Sequence, residues 1–143
     1  MPRKVILDVD TGTDDAVAII AALLAPELDV IGICSVNGNR EVKLTTDNTL
    51  RVKALMGSDV PVYRGCEYPM VATLTPGRKP GIPHREGEMT GVRSLVHGDH
   101  LPLPETDLKE EAEPAVTWLI DTLLHAEEKI TLIPVGPLTN IGM

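Results

Sequence analysis

The stretch Val5-Ile6-Leu7-Asp8-Val9-Asp10-Thr11-Gly12-Thr13-Asp14-Asp15 decides how the rest of the chain is read. A short apolar run ends in two carboxylates, turns through Thr11-Gly12-Thr13 and meets two more carboxylates. Such a run suits a strand buried on both faces, as in a parallel sheet covered by helices. Alternation along the strand places Asp8 and Asp10 on one face at its end. Asp14 and Asp15 open the next segment, where the positive end of a helix dipole favours negative charge. All four could meet at the carboxyl edge of the sheet, where open α/β folds bind ligands. Two of them also have ordinary explanations, Asp14 as a helix N-cap and Asp15 as a partner of the helix dipole. Asp8 has none, because a carboxylate on an apolar strand is expensive to bury without partners. Four clustered carboxylates repel one another, and a divalent cation offsets that repulsion. Oxygen donors with no nearby Cys or His pair point to Ca²⁺ or Mg²⁺ rather than Zn²⁺.

Working outward, Val17, Ala18, Ala21, Ala22, Leu24 and Ala25 follow a helical spacing from Asp14, and Pro26 stops it. Residues 30–36 read as a second buried strand and Asn37-Gly38-Asn39 as a loop. Arg40, Glu41 and Lys43 read as the solvated start of a helix over residues 42–56, with Val42, Leu44, Leu50, Val52, Leu55 and Met56 as its apolar positions and Gly57 as its stop. Residues 60–63 make a third strand, which Pro61 marks as short or at an edge. Residues 64–113 carry no sustained period and hold half of the 12 prolines and three of the four histidines, which reads as a long functional loop or flap. A helix from Pro114 with Ala115, Trp118, Leu119, Thr122 and Leu123 on one face, a strand over 130–135 and a helix opened by Pro137 complete the order. This alternation predicts an α/β fold with an open, largely parallel, Rossmann-like sheet and flanking helices. The last element begins just before Met143, so residues 1–143 read as the N-terminal half of a larger single domain, whether as a fragment or by natural truncation.

Composition excludes several functions. Apolar residues make up 43% of the 143 and charged residues 24%, the balance of a soluble globular chain. No apolar run approaches the ~18 residues of a membrane span. A net charge of −8 argues against nucleic acid as a partner. Two cysteines and no export signal point to a reducing cytoplasm. With one Trp, two Tyr and no Phe, the core must be aliphatic. Cys34, Cys66 and Trp118 read as packing residues.

Three blocks carry a resemblance. The run Asp8-Val9-Asp10-Thr11-Gly12-Thr13-Asp14-Asp15-Ala16, the loop Ser35-Val36-Asn37-Gly38-Asn39, and Leu132-Ile133-Pro134-Val135-Gly136-Pro137-Leu138-Thr139-Asn140 resemble, in order and spacing, the inosine–uridine preferring nucleoside hydrolases. The resemblance implies hydrolysis of the N-glycosidic bond of ribonucleosides, with Ca²⁺ as cofactor. Asp10 would be a Ca²⁺ ligand and the general base for the attacking water. Asp15 and the backbone carbonyl of Val135 would be further ligands. Asp14 would accept a hydrogen bond from the ribose 2′-hydroxyl, Asn39 would lie beside water and ribose, and Asp8 would lie behind the ligands and orient them. Asn140 reads as the brace of a turn. Two segments compete for the family's histidine-bearing flap, one at His84 and one at His97. The resemblance also implies a homo-oligomer, and a second half that carries further ligands and any leaving-group acid. Two alternatives stand beside it. One is a haloacid-dehalogenase-like phosphatase, which shares the Asp8-Val9-Asp10-Thr11 pattern. The other is a non-catalytic half-domain that binds Ca²⁺ and self-associates.

Overall fold

The computed structural model describes residues 1–71, 74 and 98–143. Strand β1 (Arg3–Val9) runs parallel to β2 (Leu28–Ser35) on one side and to β4 (Thr131–Pro134) on the other. Strand β3 (Val62–Arg64) pairs with β2, so the order across the sheet is β3-β2-β1-β4. Helices α1 (Thr13–Leu24) and α2 (Val42–Met56) connect the first three strands; α3 (Ala115–Leu124) precedes β4 and α4 (Thr139–Gly142) follows it. This is the expected open parallel α/β sheet. Its order adds something the expectation did not contain: the chain builds outward from β1 to β3 and then returns to the other side of β1. The strand order therefore reverses between β1 and β4, and crevices at such a reversal are where doubly wound folds bind ligands.

Both faces of β1 are covered from Val5 to Val9, which is why that part of the strand is apolar apart from Asp8. Val5, Leu7 and Val9 pack with Ile19, Leu50 and Val52 of α1 and α2. Ile6 faces the other way, with Cys34, Tyr63, Ala115 and Leu119. Here Trp118 stacks on Tyr63 at 4.1 Å between ring centroids, 13° from parallel. The indole takes the space above Gly32, where a Cβ would lie 2.3 Å from the ring. Gly32 follows an irregularity in β2, for Val5 pairs with Val30 but Ile6 pairs with Gly32, which leaves Ile31 as the extra residue. Pro61 stands just before β3, three residues long at the sheet edge, as its sequence implied. Gly57 ends α2 in the left-handed region at φ 58°, its N–H on Ala54 O.

Several expectations need correction. The buried side of α1 is Asp15, Ala16, Ile19 and Ala22, while Val17 and Leu24 are 64% and 67% exposed. The helix is apolar nearly all round, so its period could not choose the face. In α2 the buried side is mostly polar, including Thr45, Thr46, Asn48 and Thr49, and Leu55 is exposed. Arg40 is not solvated: its side chain is 16% exposed and its Nε lies 3.2 Å from Asp99 Oδ1. Helix α4 starts at Thr139, two residues after Pro137. Between β3 and α3 none of the described residues belongs to a strand or α-helix, yet Leu101 is buried in the core with Leu50 and Val52. His84 and His97, the two candidates for a flap histidine, lie outside the described residues.

Candidate active site

Asp10 follows the end of β1 and is buried. The loop after β2 holds it from two directions: the Asn39 backbone N–H donates to Asp10 Oδ2 at 2.7 Å, and Asn39 Nδ2 donates to the Asp10 carbonyl at 3.2 Å. Two glycines make room for the carboxylate. A Cβ at Gly38 would lie 2.2 Å from Asp10 Oδ2, and one at Gly136 would lie 2.9 Å from Oδ1. The glycines are therefore required by close approach rather than by turn geometry.

Asp15 sits one turn further on, buried at the third position of α1. Its Oδ2 accepts the Gly12 N–H at 3.2 Å, so Asp15 ties down the residue that caps the helix. The N-cap is Gly12, and the proposed capping role of Asp14 is corrected accordingly: Asp14 lies exposed in the first turn. Burial raises the pKa of Asp15; the Gly12 N–H opposes the rise and the charges of Asp10 and Asp14 add to it.

Asp8 is fully buried. Its Oδ1 accepts Asn140 Nδ2 at 2.7 Å, while Oδ2 has no hydrogen-bond partner among the described residues. Burial lifts its pKa to about 6, with the Asn140 hydrogen bond opposing and the Asp10 charge adding. Its carbonyl accepts the Val135 N–H at 2.9 Å, which fixes the first residue after β4 against β1. The Val135 side chain is exposed. Asn140 braces more than its own turn: it also donates to Ser35 O at 2.9 Å and accepts the Cys66 N–H at 2.9 Å. It thus joins the ends of β1 and β2 to the chain beyond β3.

The topology therefore brings Asp8, Asp10, Asp15, Asn39 and Val135 to the carboxyl ends of β1, β2 and β4, around the strand-order reversal, with Asp14 exposed beside them. Sequence reasoning missed Asn48 and Thr49, which hold the aspartate loop from behind. Thr49 and Thr11 share a hydroxyl hydrogen bond of 2.7 Å, and Asn48 Nδ2 donates to Thr11 O at 3.1 Å. A signal existed: Thr45, Thr46, Asn48 and Thr49 are poor helix formers gathered at helical spacing inside α2.

Among the described residues no group of three or more His, Cys, Asp or Glu side chains is placed to hold a metal. A smaller set lies near the end of β1: the buried carboxylates of Asp10 and Asp15, whose charges interact, and Val135, whose N–H is held by the Asp8 carbonyl and whose own carbonyl is the oxygen it has to offer. All its donors are hard oxygens, two of its members are negatively charged and desolvated, and glycines rather than side chains border Asp10. Such a set fits a hard divalent cation such as Ca²⁺.

Comparison with known proteins agrees with this geometry. Residues 5–143 match the family model of the inosine-uridine preferring nucleoside hydrolases. The chain belongs to that family. It is 42% identical over 143 residues to a non-specific ribonucleoside hydrolase RihC of Klebsiella pneumoniae, covering 100% of this chain and 43% of the relative. It is 40% identical over 139 residues to the RihC of Salmonella paratyphi A, covering 97% of this chain and 42% of the relative. A plant nucleoside hydrolase superimposes with a TM-score of 0.80 at 32% identity, over 99% of this chain and 42% of that one. A purine-preferring ribonucleoside hydrolase from Gardnerella vaginalis does so with a TM-score of 0.74 at 30% identity, over 97% and 42%. The chain thus spans less than half the length of these family members.

Proposed function

We propose that residues 1–143 carry the carboxylate part of a Ca²⁺-dependent ribonucleoside hydrolase site, which cleaves the N-glycosidic bond to give ribose and a free base. The observation that carries this reading is the convergence of Asp10, Asp15 and Val135 at the strand-order reversal of a chain that belongs to the nucleoside hydrolase family. Ca²⁺, when bound by Asp10, Asp15 and the Val135 carbonyl, supplies positive charge that anchors the ribose diol and makes water more acidic. The chain's own groups do the rest. Asp10 accepts the proton of the attacking water, and the Asn39 N–H on its Oδ2 fixes the carboxylate for that task. Asp14, exposed beside the site, accepts a hydrogen bond from the ribose 2′-hydroxyl. Departure of the base leaves positive charge on the ribose, and the cluster of aspartates stabilises that charge. Asp8 holds the end of β4 through its carbonyl and Asn140 through its side chain.

Membership over residues 5–143 argues against the phosphatase alternative. Self-association draws on a different observation: β4 lies at the sheet edge, and Leu124, Leu138 and Met143 nearby are exposed. Both cysteines are free thiols, in keeping with a reducing compartment.

The test is equilibrium binding of inosine to the chain in Ca²⁺ and in EDTA, followed by assay of ribose release from inosine and uridine. Binding that needs Ca²⁺ and is lost in Asp14→Ala, with any release falling by about two orders of magnitude or more in Asp10→Ala, is the expected result. Inosine binding that ignores both EDTA and Asp14→Ala would overturn the reading. A stable dimer that binds Ca²⁺ without binding inosine would favour the self-associating half-domain.

A further inference from the structure

Residues 98–103 are fastened to the site by side chains the reaction does not use. Asn48 is almost wholly buried on α2 and spends both ends of its amide. Nδ2 donates to Thr11 O at 3.1 Å and lies 3.4 Å from Asp99 O, while Oδ1 accepts the Leu101 N–H at 2.9 Å. One side chain therefore joins the residue after Asp10 to a stretch more than fifty positions further along. Two other fastenings run beside it. Asp47 Oδ2 meets His100 Nδ1 at 2.9 Å and Arg51 Nε at 2.7 Å, and Arg51 donates to Leu103 O at 2.9 Å. Arg40, next to the Asn39 that grips Asp10, lies 3.2 Å from Asp99.

An apolar residue at position 48 would fill the same space between helix and sheet. The buried amide instead satisfies a carbonyl and an N–H that would otherwise be desolvated and unpaired on two separate loops. Its donor and acceptor are both committed, so the 99–101 backbone and the Thr11 carbonyl are held in one register. Thr11 precedes Gly12, whose N–H is on Asp15 Oδ2. The 99–101 stretch is thereby linked through Asn48 to Thr11, which lies between Asp10 and the Gly12 that Asp15 grips.

We propose that Asn48 is a positioning residue that couples residues 99–103 to the Asp10–Asp15 loop, so that ordering either one orders the other. The link to Ca²⁺ rests on the nucleoside hydrolase reading of the site. The amide coupling does not, and the two can fail separately.

The test uses the 143-residue chain and amide hydrogen exchange with and without Ca²⁺. Linkage is reciprocal. Ca²⁺ should therefore slow exchange at Leu101, whose residue is no ligand, as well as at Gly12. Asn48→Ala should raise exchange at Leu101 and Gly12 together and weaken Ca²⁺ binding about tenfold, the scale of a lost outer hydrogen bond at a metal site. Asp47→Ala, which loosens 100–103 without touching Thr11, should weaken Ca²⁺ binding in the native background and have no further effect in Asn48→Ala. Thr49→Val, which removes the other grip on Thr11, should leave Leu101 protected. Faster exchange at Leu101 alone, with Gly12 and Ca²⁺ affinity unchanged, would overturn the proposal and make Asn48 a loop brace only. Additive losses from Asp47→Ala and Asn48→Ala would overturn it too. A wild-type chain that binds no Ca²⁺ would sink the metal reading, and the paired response of Leu101 and Gly12 in Asn48→Ala would still decide the coupling. Should Asn48→Ala not fold, the response of Leu101 to Ca²⁺ in the unaltered chain decides it.

Discussion

Asp8 shows how one residue's surroundings set its chemistry. It is fully buried with one oxygen unpartnered, and its pKa is lifted to about 6. A carboxyl whose folded pKa lies above its unfolded value of 3.8 favours the folded state while it is protonated. That contribution is present below about pH 4 and is lost as the pH rises through about 6. The rise from 3.8 to about 6 corresponds to roughly 3 kcal/mol. Urea unfolding in EDTA at pH 4.5 and pH 7 should therefore show wild type losing stability relative to Asp8→Asn as the pH rises. A constant difference between the two proteins would show that Asp8 ionises freely in the fold. The aspartates were legible because charge at the end of an apolar strand has few explanations. Asn48 was not, because its partners Thr11 and Leu101 lie 37 and 53 positions away, and the polar stripe it shares with Thr45, Thr46 and Thr49 marks a buried polar face without naming its partners.

At the scale of elements, the strands were read nearly to their ends, since β1 and β2 are apolar runs with few competing explanations. The order of the strands was not readable. β4 pairs with β1 rather than with β3, and α3, which precedes β4, packs on the face formed by Ile6, Cys34 and Tyr63. The faces of α1 were misread because apolar residues surround it, and that of α2 because its buried side is threonine and asparagine. Trp118 is one link between α3 and the sheet, stacked on Tyr63 above Gly32. Trp118→Ala should cost about 3 kcal/mol, the lower end for a large aromatic because the ring is only partly buried. Thermal or urea unfolding measures this. A loss below about 1 kcal/mol would mean that α3 is held by Ala115 and Leu119 alone.

At the scale of the whole molecule, three separate stretches of sequence converge on one place. The end of β1 supplies Asp10, the loop after β2 supplies Asn39, and the end of β4 supplies Val135. They meet where the strand order reverses between β1 and β4, the place at which doubly wound folds bind ligands. The chain covers less than half the length of the relatives it matches, and this cluster is the site proposed for it. The central claim is that this cluster holds Ca²⁺ through Asp10 and Asp15. Calorimetric titration of the chain with Ca²⁺, beside Asp10→Ala, tests it most directly. The account predicts one site per chain, with affinity reduced at least about tenfold by Asp10→Ala. Saturable binding that is unchanged in Asp10→Ala, or no binding at millimolar Ca²⁺, would contradict it.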